Sequence, residues 1–355
     1  MDRLETLLAQ ISPPDPSPGE AAQAHLDNLT KPRGSLGRLE ELARRLCVMR
    51  GAARLAQPQA AVAVFAADHG VVAAGVSLYP REVTAQMVFN FLAGGAGINV
   101  LARQSGARVR VVDVGVDHEF DDVPDLIQAK VRRGTRNLLE EPAMTRQEAL
   151  AAIAAGAGVA GQLMGQGADL LIPGDMGIGN TTPCAAITAA LCGLPPAAVA
   201  GRGTGLDDQG LARKVAVLEA ALARHRPDPA DPLGVLAALG GLEIAAICGF
   251  VLGAAARRTP VILDGFISTT GALVACRLAP AAAAYVIVGH ASQEIGHRAQ
   301  CEALGQRPLL DLDLRLGEGT GAALALNLVR AAVAIYNEMA TFESAGVTGD
   351  EVKHA

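Results

Sequence analysis

The chain has 355 residues and is 50% hydrophobic, so it can bury a large core. Its 30 basic and 36 acidic residues give a net charge of -6, and only 3% of its residues are aromatic. This composition argues against a nucleic-acid partner, which would need a basic surface or aromatic platforms for base stacking.

The N-terminal stretch, residues 1–10, has Asp2, Arg3 and Glu5 among its leucines, unlike the uninterrupted apolar run of an export signal. The most apolar runs, such as residues 281–288, are too short to cross a bilayer. We therefore expect a cytoplasmic protein with no membrane partner. The cysteines have neither a disulfide-framework nor a zinc spacing, and they are expected to be small buried hydrophobic residues. They are Cys47, Cys184, Cys192, Cys248, Cys276 and Cys301.

Short apolar runs, mostly rich in β-branched residues, predict a series of strands. They are residues 61–65, 109–114, 170–172, 261–263, 285–288 and, more weakly, 309–312. Each is followed by a loop and then by an Ala/Leu-rich segment of helical length, which indicates repeated βαβ units. The predicted fold class is α/β: an open, mainly parallel sheet of Rossmann-like type, covered by helices on both faces.

The two ends of the chain predict a small helical subdomain. A Pro-rich stretch at residues 12–19 is followed by a helix that we expect to be capped at Ser35, with Leu36, Leu39 and Leu46 on one stripe. After Gly321 a long buried helix is expected through about Met339. The predicted division is a large catalytic domain at residues 31–325 and a subdomain built from residues 1–30 and 326–355.

The loops after the strands are expected to line the active site, because ligands of open parallel sheets bind beyond the carboxyl ends of the strands. These loops are residues 68–70, 115–117, 174–182, 264–266 and 289–292. The 174–182 loop has three glycines at a strand-to-helix turn, where backbone amides and the helix dipole can hold a phosphate. It is not a Walker loop or a dinucleotide fingerprint, and a turn that binds nothing remains an alternative.

A second glycine-rich stretch, residues 201–208, precedes a helix with Lys214. By itself Lys214 is typical of a solvated surface lysine, and beside the 174–182 loop it becomes a candidate phosphate ligand. His290, Glu294 and His297 have a spacing that a metal could use, but His290 is expected to precede the helix, and we predict no metal. Glu318 lies among three glycines before a helix, where it is either a functional carboxylate or part of a capping turn.

Taken together, these motifs resemble the nicotinate-nucleotide:dimethylbenzimidazole phosphoribosyltransferase family, which makes the lower-ligand nucleotide of cobalamin. The resembling stretches are residues 31–37, 67–70, 79–84, 174–183, 201–205, 240–244, 264–266, 289–292 and 316–321, in family order. They extend over nearly the whole chain. One position departs from the family pattern, because Asp175 stands where the family usually has Glu.

The resemblance implies transfer of the phosphoribosyl group of nicotinate mononucleotide to a benzimidazole-type base by direct displacement with inversion. Nicotinate leaves as a neutral ring nitrogen and needs no general acid, whereas the attacking base must lose its N–H proton. One carboxylate is enough for this, and we predict Glu318 as the general base. No metal or redox cofactor is expected, and the resemblance also suggests a homodimer.

The predicted substrate contacts fall into two groups. For the phosphate and ribose of the nucleotide, they are Asp175, Gly177, Gly179, Asn180, Thr181, Gly203, Lys214 and Ser292. For the base, the resemblance implies an apolar slot near Ser77, Tyr79, Pro80, Gln86 and Met176. Two other functions remain open on the residues alone: a nicotinamide-dependent dehydrogenase, whose fingerprint is missing, and a non-catalytic azole- or nucleotide-binding protein.

Overall fold

A computed structural model describes residues 3–121 and 123–348 of the chain. Its central sheet has six parallel strands in the order β3-β2-β1-β4-β5-β6. These are β1 (Ala60–Ala67), β2 (Arg108–Gly115), β3 (Leu126–Gln128), β4 (Leu170–Met176), β5 (Val261–Leu263) and β6 (Val286–Val288). A separate parallel pair consists of β7 (His290–Ala291) and β8 (Leu310–Asp311). The open, parallel α/β class predicted from the sequence is confirmed.

Helices precede, link and follow the strands. They are α1 (Arg3–Leu8), α2 (Ser17–Asp27), α3 (Arg38–Arg50), α4 (Val83–Leu92), α5 (Gly97–Ser105), α6 (Arg146–Gly165), α7 (Thr181–Cys192), α8 (Asp208–His225), α9 (Pro232–Leu239), α10 (Leu242–Ala255), α11 (Phe266–Leu278), α12 (Gly296–Ala303), α13 (Thr320–Glu338) and α14 (Phe342–Ala345). A short 3-10 helix at Gly70–Ala74 follows β1.

Both faces of the sheet are covered, which is why all eight residues of β1 are buried. Side chains alternate between the faces along a strand. Phe65 points to one face and makes an edge-to-face contact with Phe250 of α10, at a centroid distance of 5.3 Å. Val62 points to the other face, close to Gly319 at the start of α13. Helices α6, α10 and α11 pack together in one layer, and α3, α5 and α13 in another.

Two helical stretches, Val83–Ser105 and Arg146–Gly165, are long and apolar enough to cross a membrane by length and composition alone, with mean hydropathies of 1.3 and 1.2. The first is two helices, α4 and α5, separated by a turn. The second is α6, which packs closely on α10: a Cβ on Gly156 would lie 1.8 Å from the carbonyl oxygen of Ala246. Both stretches are therefore integral parts of the α/β fold.

The sheet reverses its order between β1 and β4. From β1 the chain proceeds to β2 and β3 on one side, and from β4 to β5 and β6 on the other. Helical connections on opposite sides of such a point leave a crevice at the carboxyl ends of the two strands, where ligands of this fold bind. Asp68 and His69 follow β1 at this point, and Gly177 follows β4.

The two chain ends meet near α13. Leu29 and Thr341 form an antiparallel bridge, and Thr30 N–H donates to the carbonyl oxygen of Ala340 at 2.9 Å. The predicted long helix after Gly321 is confirmed as α13. The division into residues 31–325 and a subdomain of residues 1–30 and 326–355 stays a prediction, and residues 349–355 lie outside the described part of the chain.

Three local expectations were wrong. Ser35 does not cap α3, because that helix starts at Arg38 after Gly37, whose carbonyl oxygen accepts the first helical bonds. Gly174 belongs to β4 and not to a loop. Its missing Cβ lets the Glu318 backbone approach the strand, because a Cβ would lie 2.2 Å from the Glu318 carbonyl oxygen. The 309–312 strand is shorter than expected and pairs with β7, outside the main sheet.

Candidate active site

A cavity of about 550 Å³ opens at the sheet reversal, a size typical of small-molecule sites. Its walls come from the segment that leads into α4, from the loops after β4 and β5, from β7 and from the segment before α13. The lining residues include Val76, Ser77, Tyr79, Val83, Met87, Asp175, Met176, Gly177, Ile178, Gly179, Asn180, Thr181, Gly203, Thr204, Gly265, Phe266, His290, Ser292, Glu294, Arg315, Leu316, Gly317 and Glu318. One end of this set is rich in glycine and hydroxyl groups and the other is apolar.

The glycine-rich end is the turn from β4 into α7. Gly179 has φ 86°, a conformation that only glycine adopts without strain, and it lets α7 begin at Thr181. Ile178 N–H donates to Thr84 Oγ1 at 3.1 Å, which fixes the turn against α4. Asn180 is the residue before the helix, yet its Nδ2 donates to Asp175 Oδ2 at 3.2 Å. The turn thus presents the first amides of a helix to the cavity, a favourable place for an anion.

Lys214 lies immediately behind this turn. Its side chain is fully buried, and Nζ donates to Thr181 Oγ1 at 2.7 Å and to the carbonyl oxygen of Gly201 at 3.1 Å. Lys214 is not among the residues that line the cavity, although Nζ would lie 3.5 Å from a Cβ on Gly203, which does line it. Burial lowers the pKa of Lys214 below its usual 10.5, and the charge of Glu294 opposes that change.

Glu318 lies between two glycines in an unusual backbone segment. Gly317, Glu318 and Gly319 all have positive φ angles, of 81°, 64° and 97°. Asp264, which follows β5, anchors this segment: its Oδ2 accepts from Gly319 N–H at 3.2 Å and its Oδ1 from Ala322 N–H at 3.0 Å. The carboxylate of Glu318 is consequently held at the cavity wall by a buried acidic residue of a neighbouring loop.

The Glu318 carboxylate also contacts the start of α5. Its Oε2 accepts from Ile98 N–H at 3.0 Å, in the first turn of that helix. Burial raises the pKa of Glu318 above its usual 4.5; the Ile98 bond opposes this and the charge of Asp264 adds to it. A carboxylate with a raised pKa is a better proton acceptor near neutral pH than an ordinary exposed one.

Asp175 is a second buried carboxylate in the cavity. Burial first, and then the charges of Asp264 and Glu243, raise the pKa of Asp175 well above its usual 3.8. These two of the acidic groups that line the cavity have different environments: Glu318 is bonded to a helix start, and Asp175 is bonded to the amide of Asn180. Different environments allow two carboxylates to have different protonation states at the same pH.

The apolar end of the cavity is a slot beside Glu318. Val83 and Met87 are four residues apart on α4, so they lie on the same face of that helix, and both line the cavity together with Tyr79, Met176 and Leu316. Leu316 and Tyr79 are 61% and 54% exposed, so the slot opens at the surface.

The slot's edge is fixed by one hydrogen bond between two loops and one within the first of them. Leu78 N–H donates to Thr204 Oγ1 at 3.1 Å, and Tyr79 N–H donates to Ser77 Oγ at 3.2 Å. The slot, the Glu318 carboxylate and the glycine-rich turn therefore belong to one cavity.

Comparisons with known proteins agree with this geometry. A phosphoribosyltransferase family model matches residues 11–347. The nicotinate-nucleotide–dimethylbenzimidazole phosphoribosyltransferase of Geobacter sulfurreducens is 58% identical over 347 residues, covering 98% of this chain and 99% of that protein. The protein of the same name from Chlorobium chlorochromatii is 56% identical and covers 98% of both chains. The chain belongs to the nicotinate-nucleotide–dimethylbenzimidazole phosphoribosyltransferase family.

A crystal structure of the family member from Thermus thermophilus has the same fold, with a TM-score of 0.90 and 52% identity. The match covers 94% of this chain and 99% of that one. The family resemblance predicted from the motifs is thus confirmed. Membership of this family also argues against the nicotinamide-dependent dehydrogenase that the residues alone left open.

Most of the predicted site residues of this family member line one cavity. They are Glu318, Asp175, Gly177, Gly179, Asn180, Thr181, Gly203, Ser292, Ser77, Tyr79 and Met176. Lys214 lies behind the wall. Pro80 and Gln86 do not line the cavity; both are exposed, and Gln86 faces a separate cavity of about 270 Å³ with Asp68 and Asp117. The roles assigned to these residues remain predictions.

Several residues that shape the site were not predicted as site residues. Val83 and Met87 form the slot with Tyr79, and the four-residue spacing of the three was a detectable signal. Asp264 follows a predicted strand directly and could have been singled out as a post-strand acid. The position of Glu318 against α5 could not be read from the sequence, because residues 98 and 318 are distant in the chain.

His290, Glu294 and His297 do not share a helix face. His290 is on β7, Glu294 precedes α12, and His297 lies within α12. Burial lowers the pKa of His297 to about 4, so its ring is neutral; Nδ1 accepts from Ser292 N–H and Nε2 contacts Thr269 Oγ1 at 3.0 Å. Within residues 3–121 and 123–348, no three His, Cys, Asp or Glu side chains are grouped as metal ligands would be.

Proposed function

We propose that this family member transfers the 5-phosphoribosyl group of nicotinate mononucleotide to dimethylbenzimidazole or a related base. The products are nicotinate and the α-ribotide used in assembling the nucleotide loop of cobalamin. The observation that carries the proposal is the place of Glu318, a buried carboxylate that lines one cavity together with an apolar slot and the glycine-rich start of a helix.

The reaction needs one proton transfer. A ring nitrogen of the base attacks the anomeric carbon, the bond from that carbon to the pyridinium nitrogen breaks, and its electron pair stays on nicotinate. The second ring nitrogen of the base then loses its proton to Glu318, which later passes it to solvent. Since Oε2 of Glu318 already accepts from Ile98 N–H, we assign Oε1 as the atom that accepts this proton.

Orientation of the two substrates supplies the rest of the rate. We assign the phosphate to the turn at Gly177, Gly179 and Thr181, and the base to the slot of Tyr79, Val83 and Met87. The acidic lining is compatible with a cationic pyridinium ring and with the positive charge that develops on ribose during displacement. We assign a ribose contact to Asp175, which is on β4 beside the turn.

The assignment of Lys214 is tested by two variants. Lys214→Ala and Lys214→Met both remove the charge, but Met keeps most of the buried stem volume. We expect the KM for the nucleotide to rise on the order of tenfold to a hundredfold in both, because charged hydrogen bonds contribute about 1.5–3 kcal/mol. Unchanged nucleotide binding in a folded Lys214→Met variant would remove Lys214 from the phosphate subsite.

The activity itself is tested by incubating the protein with nicotinate mononucleotide and dimethylbenzimidazole and measuring released nicotinate. Binding of both compounds without release would favour a non-catalytic azole-binding protein.

We also propose a cytoplasmic homodimer. The six free cysteines are compatible with a reducing compartment, and the exposed apolar side chains Leu78, Tyr79 and Leu316 at the cavity mouth are compatible with a subunit contact. Sedimentation analysis would test the oligomeric state.

A further inference from the structure

A buried ion pair lies under the turn that we assign to the phosphate. His69, just after β1, and Glu243, in the first turn of α10, are 1% and 0% exposed. His69 Nε2 lies 2.8 Å from Glu243 Oε1. Neither side chain lines the cavity, and neither has a role in the reaction as described above.

The pair is in direct contact with the first glycine of the turn. A Cβ on Gly177 would lie 2.9 Å from His69 Nε2, so the imidazole packs against the Gly177 backbone. On its other side, a Cβ on Gly241 would lie 2.5 Å from His69 Cε1. The 3-10 helix that follows His69 packs against the second glycine of the turn, since a Cβ on Gly179 would lie 2.6 Å from Val72. The imidazole is therefore enclosed between two glycine backbones.

Neighbouring carboxylates favour the charged form of the His69 imidazole. Burial alone would lower the pKa of His69, but the charge and hydrogen bond of Glu243, together with the charge of Asp68, raise it above its usual 6.5. In the described part of the chain, Glu243 Oε2 has no hydrogen-bond partner, so Glu243 depends on His69 for its neutralisation. The field of Glu243 reaches the cavity wall, where it contributes to the raised pKa of Asp175.

We propose that His69 is a positioning residue for the nucleotide, which neutralises Glu243 directly beneath Gly177 and so keeps an uncompensated carboxylate away from the bound phosphate. The proposal rests on the assignment of the phosphate to the 177–181 turn. Without a cation at position 69, the buried charge of Glu243 repels the phosphate through a protein interior in which charges are poorly screened.

The test compares His69→Gln, Glu243→Gln and the double variant. The measured quantities are the dissociation constant of nicotinate mononucleotide, the KM for dimethylbenzimidazole, kcat and the melting temperature. We expect the nucleotide dissociation constant to rise roughly tenfold in His69→Gln. This is the effect of one uncompensated carboxylate, that of Glu243, at about 10 Å from the phosphate in a medium of intermediate dielectric constant. The double variant removes the carboxylate as well and should recover most of that loss.

A matched control is His225→Gln. His225 Nε2 lies 2.6 Å from the carbonyl oxygen of Leu138, away from the cavity, so this change also removes one histidine hydrogen bond. Nucleotide binding should be unchanged in the control. If His69 only filled space or held the fold, the double variant would bind nucleotide no better than His69→Gln, and that result would overturn the proposal.

A second measurement covers the case in which His69→Gln does not fold. The titratable groups that face the pair are Asp68, Asp175 and Cys184. In the wild-type protein the nucleotide dissociation constant should rise as the pH rises through the raised pKa of His69, because the imidazole then loses its charge. A constant value from about pH 6.5 upward would overturn the proposal. A Gly177→Ala variant tests the phosphate assignment separately, because a Cβ at that position would disturb the turn itself. If Gly177→Ala leaves nucleotide binding unchanged, the phosphate assignment has failed; if only the His69 variants do, this inference alone has failed.

Discussion

Replacing Glu318 by Gln gives the most direct test of the proposed chemistry. The substitution keeps the size of the side chain and an oxygen that can still accept from Ile98 N–H, but it removes the proton acceptor. General-base catalysis contributes about 10²- to 10⁴-fold in rate, which corresponds to roughly 3–5 kcal/mol of transition-state free energy. We expect this loss to fall on kcat, with nucleotide affinity close to that of the wild type.

Stability should respond in the opposite direction from activity. Burial raises the pKa of Glu318, so at neutral pH the folded protein bears the cost of an ionised buried carboxylate. An amide removes that cost, and the melting temperature of Glu318→Gln should be equal to or higher than that of the wild type. Steady-state kinetics with both substrates and a thermal melt measure the two quantities. A Gln variant that melts normally and retains kcat within about threefold would refute the role of Glu318 as the base.

The same site supports three further predictions. The kcat should fall as the pH is lowered through the raised pKa of Glu318, since only the deprotonated carboxylate accepts a proton. In a plot of kcat against pH, this fall should occur above pH 4.5, the usual pKa of a glutamate. The absence of such a fall in folded protein would contradict the assignment. Asp175→Asn should raise the melting temperature at neutral pH, because burial and the neighbouring carboxylates raise the pKa of Asp175 and make its ionised form costly in the folded protein. The gain should shrink as the pH is lowered and Asp175 becomes protonated; a lower melting temperature at neutral pH would contradict this. Activity should survive exhaustive chelation, because the leaving nitrogen is already cationic; a requirement for added zinc or magnesium would direct attention back to His290, Glu294 and His297.

Apolar runs bounded by turn residues were sufficient to predict five of the six strands of the main sheet. The runs at residues 61–65, 109–114, 170–172 and 261–263 lie within β1, β2, β4 and β5, and the run at residues 285–288 overlaps β6, because parallel strands buried on both faces need continuous apolar sequence. The short edge strand β3 was not predicted, since three residues beside a turn are too few to show an alternation of apolar and polar residues. The Ser35 cap was wrong for a similar reason: a capping residue type is common, and only the backbone geometry of Gly37 determines where α3 starts.

The sequence was less informative about distances between elements. The glycine turn at Gly177 and Gly179 could be predicted as a helix start, because residue type and position determine its backbone. The burial of Lys214 could not, since it depends on how α8 packs against α7 and on the loop at Gly201. Gln86 precedes Met87 by one residue and therefore points about 100° away on α4, so it faces the smaller cavity.

The backbone of residue 318 provides an independent reason to regard its side chain as functional. A non-glycine residue at φ 64° costs of order 1 kcal/mol or more, and glycine would relieve that backbone cost. Gly317 and Gly319 already have this left-handed conformation, so a third glycine would continue the local pattern. The chain instead has a carboxylate there, buried, bonded to the first turn of α5 and held in place by Asp264. A capping turn alone has no need of that carboxylate, because the backbone donors at Gly319 and Ala322 are already taken up by Asp264. The strain at Glu318 is therefore best explained by a requirement for a carboxylate at this point of the cavity, next to the slot where the base is proposed to bind.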